Sequence, residues 1–281
     1  MSPPPQLKTL SCERISDGAV LLSYNTPKRS NAFDPQQYND LREGLVWARD
    51  DSDVKVVVVT GKGRHYCAGK HTKGTFRHHM LKTHSAGRAM GGAEDTIDAE
   101  VAAGSALSAV LTAYPKVLIA AVHGASIGWG CTQLSSFDLI YAHQSAFFQT
   151  PFASLGIVPE GGSSYNFPRA MGKARANALL LAGDRLSAQE AWVGGLITGV
   201  VEADGVDSFL EKVLEKAKTM GTYSGEALRM AKQLIMDSAD DVEARRRAGE
   251  RERRDILIRF AAEDTKERLA AFGGGKAKSK M

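Results

Sequence analysis

"PKVLIAAVHGASIGWGCTQLSSFDLIYA", residues 115–142, decides how the chain is built. Val117 to Val122 is an unbroken apolar run, of the length and composition of a strand buried on both faces. A glycine-bearing stretch follows, in which Gly128 to Ser135 is expected to open a helix, and Leu139 to Ala142 returns to strand. Pro115, Lys116 and His123 interrupt the longer apolar stretch from Leu107 to Leu134, which therefore reads as strand and turn and not as a membrane span. Strand, glycine turn, helix and strand make the repeating unit of an α/β protein.

A similar unit lies upstream. Ala19 to Tyr24 is a short apolar run ended by Pro27, and Asp34-Pro35 has the form of an N-cap and first helical residue, with Gln37 at the capping-box position. Tyr38, Leu41, Leu45 and Ala48 then recur on one helical face, and Val54 to Thr60 is a β-branched run suited to a sheet interior. From about Ser187 onward the pattern turns helical. The expectation is an α/β core over residues 15–200, a helical C-terminal region over 201–275, a flexible N-terminal arm over 1–14 and a tail over 276–281. Residues 73–103, rich in histidine and glycine, read as a mobile insertion. Residues 242–259 read as a charge-dense helix with a solvated face.

Composition bounds the function. A chain of 281 residues with 43% hydrophobic content can bury a sizeable core. Its 36 basic and 32 acidic residues nearly cancel, which argues against a nucleic-acid partner. Cys12, Cys67 and Cys131 are far apart, so neither a zinc knuckle nor a disulfide framework is indicated, and a reducing compartment fits. His71, His78, His79 and His84 match no standard zinc spacing, and no metal is expected. The terminal Ser279-Lys280-Met281 is close to the S-K-L peroxisomal address and predicts recognition by a peroxisomal import receptor.

Two glycine loops invite a nucleotide reading that fails. In "GKGRHYCAGKHT", five residues separate Gly63 from Gly69 where a phosphate loop has four, and His71 replaces the magnesium-holding hydroxyl. Gly124, Gly128 and Gly130 do not have dinucleotide-fold spacing. Both loops follow apolar strands, and backbone N–H groups exposed in such turns can hold a developing oxyanion. Glycines that merely permit tight turns are the plainer alternative.

"NTPKRSNAFDPQQYNDL" (25–41), "VVVVTGKGRHYCAGK" (56–70), the opening stretch, "PFASLGIVPEGGSSYNFPRAMG" (151–172) and "FAAEDTKERLAAF" (260–272) together resemble the successive blocks of the crotonase, or enoyl-CoA hydratase/isomerase, superfamily. The resemblance implies a crotonase-like spiral of ββα units, oligomerisation through the C-terminal helices as a homotrimer or homohexamer, and an acyl-CoA thioester as substrate with no further cofactor. It places the oxyanion-hole amides on Lys70 and Trp129. Lys28, Arg29, Ala32, Ala68, Gly69, Gly128 and Phe152 fall at substrate-binding or CoA-binding positions. Phe260, Phe272 and Lys276 are candidates for the adenine end, although exposed charge and helix packing explain the basic and aromatic residues equally well. His71 stands where the superfamily commonly has an aspartate.

The acids direct the chemistry. The two glutamates that family hydratases use to activate water are replaced here by Thr132 and Phe152. "LGIVPEGGSSYNFP" instead resembles the Δ3,Δ2-enoyl-CoA isomerases, notably the peroxisomal branch, with Glu160 as the catalytic acid. One carboxylate suffices to carry a proton from C2 to C4, within a lining that Phe152, Ile157, Val158 and Trp129 are expected to supply. A surface-turn glutamate is the bland alternative. A hydratase-like enzyme of fatty-acid or specialised metabolism, an acyl-CoA-binding subunit without catalysis, and an RNA-binding C-terminal face remain as other readings.

Overall fold

The computed structural model describes residues 2–69 and 94–273. Six strands form the main sheet in the order β1 (Leu10–Ser16), β2 (Ala19–Tyr24), β3 (Val56–Gly61), β4 (Val117–Val122), β6 (Leu139–His143) and β9 (Gly199–Val201). β1 and β2 form an antiparallel hairpin, whereas the remaining neighbours run parallel. A smaller sheet joins β5 (Ala125–Ile127), β7 (Phe147–Gln149) and β8 (Leu186–Ser187).

The valine run is apolar at every position because both faces of the sheet are covered. Val57 and Val59 join the core that includes Leu41 and Leu45 of α1 (Pro35–Asp50) and Leu107 and Leu111 of α2 (Glu94–Thr112). Val56 and Val58 point the other way, onto Phe209, Val213 and Ala217 of α6 (Val206–Gly221). β4 alternates likewise, with Leu118, Ala120 and Val122 on one face and Val117, Ile119 and Ala121 on the other. Between these helices come α3 (Trp129–Thr132), α4 (Ser163–Asn177) and α5 (Ala188–Val193). The chain continues through α7 (Gly225–Asp237), α8 (Val242–Ala261) and α9 (Glu263–Gly273).

Three local expectations need correction. The described part of the expected 1–14 arm, residues 2–14, is not free: Leu10 is buried, β1 pairs with β2, and Asp40 accepts 2.7 Å bonds from both the backbone and the hydroxyl of Thr9. Residues 94–103 belong to α2, which packs on α1, and a side chain on Gly104 would meet the Tyr38 ring at 3.6 Å. At the start of α1, the Asp34 carboxylate accepts from Gln37 N at 2.9 Å as expected. The Gln37 side chain, however, turns to the Thr26 hydroxyl at 3.3 Å and closes no capping box with Asp34.

Asp51 ties the N-terminal residues down by accepting from Ser2 N at 3.2 Å and pairing with Arg14. Burial pushes its carboxyl up, but Arg14 and the amides of Asp53 and Ser2 outweigh that and hold it at about 2, below the ordinary 3.8. A depressed folded-state value stabilises above the unfolded value and stops doing so as pH falls through the folded one. Asp51→Asn is therefore expected to melt below the wild type at pH 7, with the gap closing between pH 3.8 and about 2. Thermal melts of both proteins across that range check it, and a gap unchanged at pH 2 counts against it.

Candidate functional site

Two turns at the carboxyl ends of adjacent parallel strands meet. The segment after β3 is stitched to β5 by Cys67 N to Ala125 O at 3.0 Å and Ile127 N to Cys67 O at 2.9 Å. Gly69 (φ +85°) ends the described part of that segment, and a side-chain carbon built on Gly128 would lie 3.7 Å from its Cα. Gly128 (φ +54°, ψ −123°) is the N-cap of α3, so the Trp129 amide is the first of a helix and has no carbonyl one turn before it to bond. Lys70, and with it the first expected oxyanion amide, lies outside the described residues, as does His71.

The loop before α1 closes over the same turn. Ala68 N donates to Ser30 O at 2.9 Å and Phe33 N to Gly69 O at 2.7 Å, which brings the stretch holding Ala32 beside Ala68 and Gly69, with Lys28 and Arg29 just before it in the chain. Arg29 is held by Asp34 at 2.6 Å, Ala32 is buried, and Lys28 is exposed. The Cys67 thiol is no nucleophile, because burial pushes it up to about 12 and the charge of Glu160 adds to that.

Glu160 is half-buried and lies just before Gly161 and Gly162, both at positive φ. A side-chain carbon on Gly161 would come within 3.0 Å of Thr132 Oγ1 and 3.2 Å of the Trp129 indole, so the acid-bearing turn rests on α3 itself. Trp129 in turn stacks edge-on to Tyr38, with ring centroids 5.3 Å apart. Burial pushes the Tyr38 hydroxyl far up, and the charges of Glu160 and then Glu100 add to it. The acid and the Trp129 amide therefore share one environment beside the Gly69 turn.

A profile of the family described as enoyl-CoA hydratase/isomerase matches residues 14–273. The chain belongs to that family. It is 32% identical over 219 residues to a mouse protein named enoyl-CoA delta isomerase 3, peroxisomal, covering 78% of this chain and 64% of that one. A rat enoyl-CoA delta isomerase 2 is 34% identical over 218 residues, covering 78% and 52%. The chain thus spans between about half and two thirds of the length of these isomerases. An Escherichia coli 2,3-dehydroadipyl-CoA hydratase is 31% identical over 254 residues, covering 90% of this chain and 91% of its own. Among solved structures, an enoyl-CoA hydratase/isomerase from Pseudoalteromonas atlantica superposes with a TM-score of 0.79 at 27% identity, over 98% of this chain and 100% of that one. The crotonase fold expected from the sequence is the fold the chain has.

Within this family member the other expected residues separate. Thr132 and Phe152, where the resemblance places the hydratase acids, are buried, and Phe152 is part of the main core. Phe260 packs with Ile256 and Leu269 in a small cluster that also takes in Ile157 and Val158. Helix packing accounts for that phenylalanine, whereas Phe272 is 54% exposed. Lys276 and the Ser279-Lys280-Met281 tripeptide lie outside the described residues. Among the described residues no helix is long and apolar enough to cross a membrane, and no group of acids, histidines and cysteines could hold a metal.

Two carboxylates escaped the sequence reading. Glu100 sits buried on α2, in the stretch taken for an insertion, and its charge reaches Tyr38. Glu252, in the helix taken for a solvated face, is also buried. An acid spaced among the apolar residues of a helix is the signal that would have marked Glu100, whereas Glu252, between Arg251 and Arg253, carries no such signal.

Proposed function

We propose that the chain is a Δ3,Δ2-enoyl-CoA isomerase that uses Glu160 as its proton carrier and the backbone N–H groups of Lys70 and Trp129 as its oxyanion hole. The observation that carries this reading is the seating of the Glu160 turn on Trp129 and Thr132, beside the Gly69 turn. The Glu160 carboxylate takes a proton from C2 of a 3-enoyl thioester. The electron pair moves to the thioester oxygen as a dienolate, which the two amides hold, and the same acid returns the proton to C4, leaving the double bond at C2–C3. Thr132 and Phe152 offer no second acid at the family's hydratase positions, so one carboxylate moves a proton and no water is activated there.

The substrate needs no other cofactor, and Lys28 is an exposed cation available to a CoA phosphate. Assembly as a trimer or a dimer of trimers belongs to the same proposal, supported by the apolar Met230, Leu234 and Ile235 exposed on α7. So does action in the peroxisome, on the name of the mouse relative. A fluorescent fusion to the full chain is expected to colocalise with a peroxisomal marker and to disperse when Ser279-Lys280-Met281 are removed. Diffuse fluorescence of the intact fusion would argue against that address.

The deciding assay incubates the purified protein separately with 3-enoyl-CoA and 2-enoyl-CoA of several chain lengths. Conjugated 2-enoyl product from the first, with no 3-hydroxyacyl-CoA from the second, is the expected result. Hydration is the second reading, and Glu100 is the observation that favours it: this buried acid of α2 acts on Tyr38 together with Glu160, with Asp34 a smaller contributor. Abundant 3-hydroxyacyl-CoA, lost in Glu100→Gln, would establish that reading over isomerisation.

A further inference from the structure

The segment that carries Glu160 is gripped at both ends by the C-terminal helices. At its start, Gly156 O accepts from Arg259 Nε of α8 at 2.6 Å and from the buried Thr265 hydroxyl of α9 at 2.8 Å. Arg259 is itself fixed, by Asp264 at 2.5 Å and by the Thr265 hydroxyl at 2.8 Å. At its end, the Glu252 carboxylate of α8 accepts from Gly162 N at 2.7 Å and from Ser164 N at 2.8 Å, one oxygen to each. Between the two anchors, Ile157 and Val158 pack on Ile256, Phe260 and Leu269.

The grip at Glu252 answers a local deficiency. α4 begins at Gly162, which has no side chain to cap the helix, and Gly161 and Gly162 both sit at positive φ where the backbone has unusual freedom. Glu160 hangs directly on that turn, with its carbonyl accepting from Ser163 N at 3.2 Å. A carboxylate from 90 residues away takes the place of the missing cap. Burial of a charged group is costly, and at 7% exposure Glu252 is kept at that cost by the two amides it accepts from.

We propose that Glu252, together with Arg259 at the opposite anchor, is a positioning residue that sets the reach of the Glu160 carboxylate to the substrate carbons. The inference rests on Glu160 being the proton carrier. It deepens that reading by making the C-terminal helices part of the working geometry of the acid. Displacement of a reacting group by about 1 Å costs on the order of 100-fold in rate, while substrate binding through the rest of the thioester is untouched.

The test uses the full chain with 3-enoyl-CoA and compares wild type, Glu252→Gln, Arg259→Lys, Glu160→Gln and, as a control on the exposed side of α8, Arg246→Ala. Glutamine keeps the size of Glu252 but turns an N–H donor toward one of the two amides. Glu252→Gln is expected to lose about 10- to 100-fold in kcat, with KM within about twofold, and to move the acidic limb of the pH profile of kcat/KM. Arg259→Lys is expected to change the same quantities by less, and Arg246→Ala to match wild type. A plain structural role would lower the active fraction and leave the pH limb in place, and that result overturns the inference. So does a folded Glu252→Gln with wild-type kcat while Glu160→Gln is inactive. If Glu252→Gln fails to fold, Arg259→Lys decides on the same criteria. Full activity in Glu160→Gln overturns the acid assignment itself and this inference with it.

Discussion

Glu160→Gln is expected to lower kcat for 3-enoyl-CoA isomerisation by about 100- to 10,000-fold, the range typical of losing a positioned acid–base group. Glutamine fills the same volume on the same turn, so the fold and the contact of Gly161 with Trp129 and Thr132 stay intact. What is lost is an oxygen able to take a proton from C2 and return it to C4. KM is expected to change little, since the thioester and nucleotide still bind elsewhere. Absorbance of the conjugated 2-enoyl thioester measures the rate directly, and proton exchange at C2 in deuterated buffer measures the first half-reaction alone. Both are expected to fall together, because one carboxylate serves both proton transfers. Exchange that survives while isomerisation fails would mean that a different group abstracts the C2 proton.

The second large effect concerns a main-chain atom. Trp129 is the first residue of α3, a position where proline is tolerated because the missing N–H has no helical partner to lose. Trp129→Pro is therefore expected to fold, and, measured against Trp129→Ala, to lose a further 100- to 1000-fold or so in kcat, the usual cost of one oxyanion donor. Trp129→Ala controls for the indole, which packs on Tyr38 and stacks less tightly on Phe33 at 6.4 Å. Equal kcat in the alanine and proline variants would remove Trp129 N from the oxyanion hole. The comparison isolates an amide that no ordinary side-chain substitution reaches.

How far the sequence reached depends on the distance over which each feature is determined. β2 and β4 run over the residues expected of them, because a strand covered on both faces needs apolar residues at every position and says so locally. The Asp34 cap was equally legible, since donor and acceptor lie within one turn. α2 begins inside a polar stretch, and its place is set by Leu107, Leu111 and the close fit of Gly104 on Tyr38, which only the folded chain reveals. The N-terminal residues looked free for the same reason: Asp40 and Asp51, which hold them, lie far along the chain. At the candidate site, the glycine turns and Glu160 were legible as blocks in order. Glu252 was not, because its partners lie 88 and 90 residues away and its neighbours in sequence are the exposed arginines Arg251 and Arg253.

The Gly69 segment is bonded to β5 through Cys67, and Gly128 N donates to Gln149 O of β7, whereas Glu160 is held by helices that pack at the end of the chain. The two halves of the proposed chemistry are therefore expected to belong to different cooperative units. Central parallel strands open only when the whole molecule does, while a terminal helix pair can detach at lower cost. On mild heating or in low denaturant the oxyanion-binding half is expected to outlast the proton-carrying half. An intermediate of that kind would still hold an acyl thioester while having stopped turning it over, so that substrate binding and turnover fade at separate temperatures.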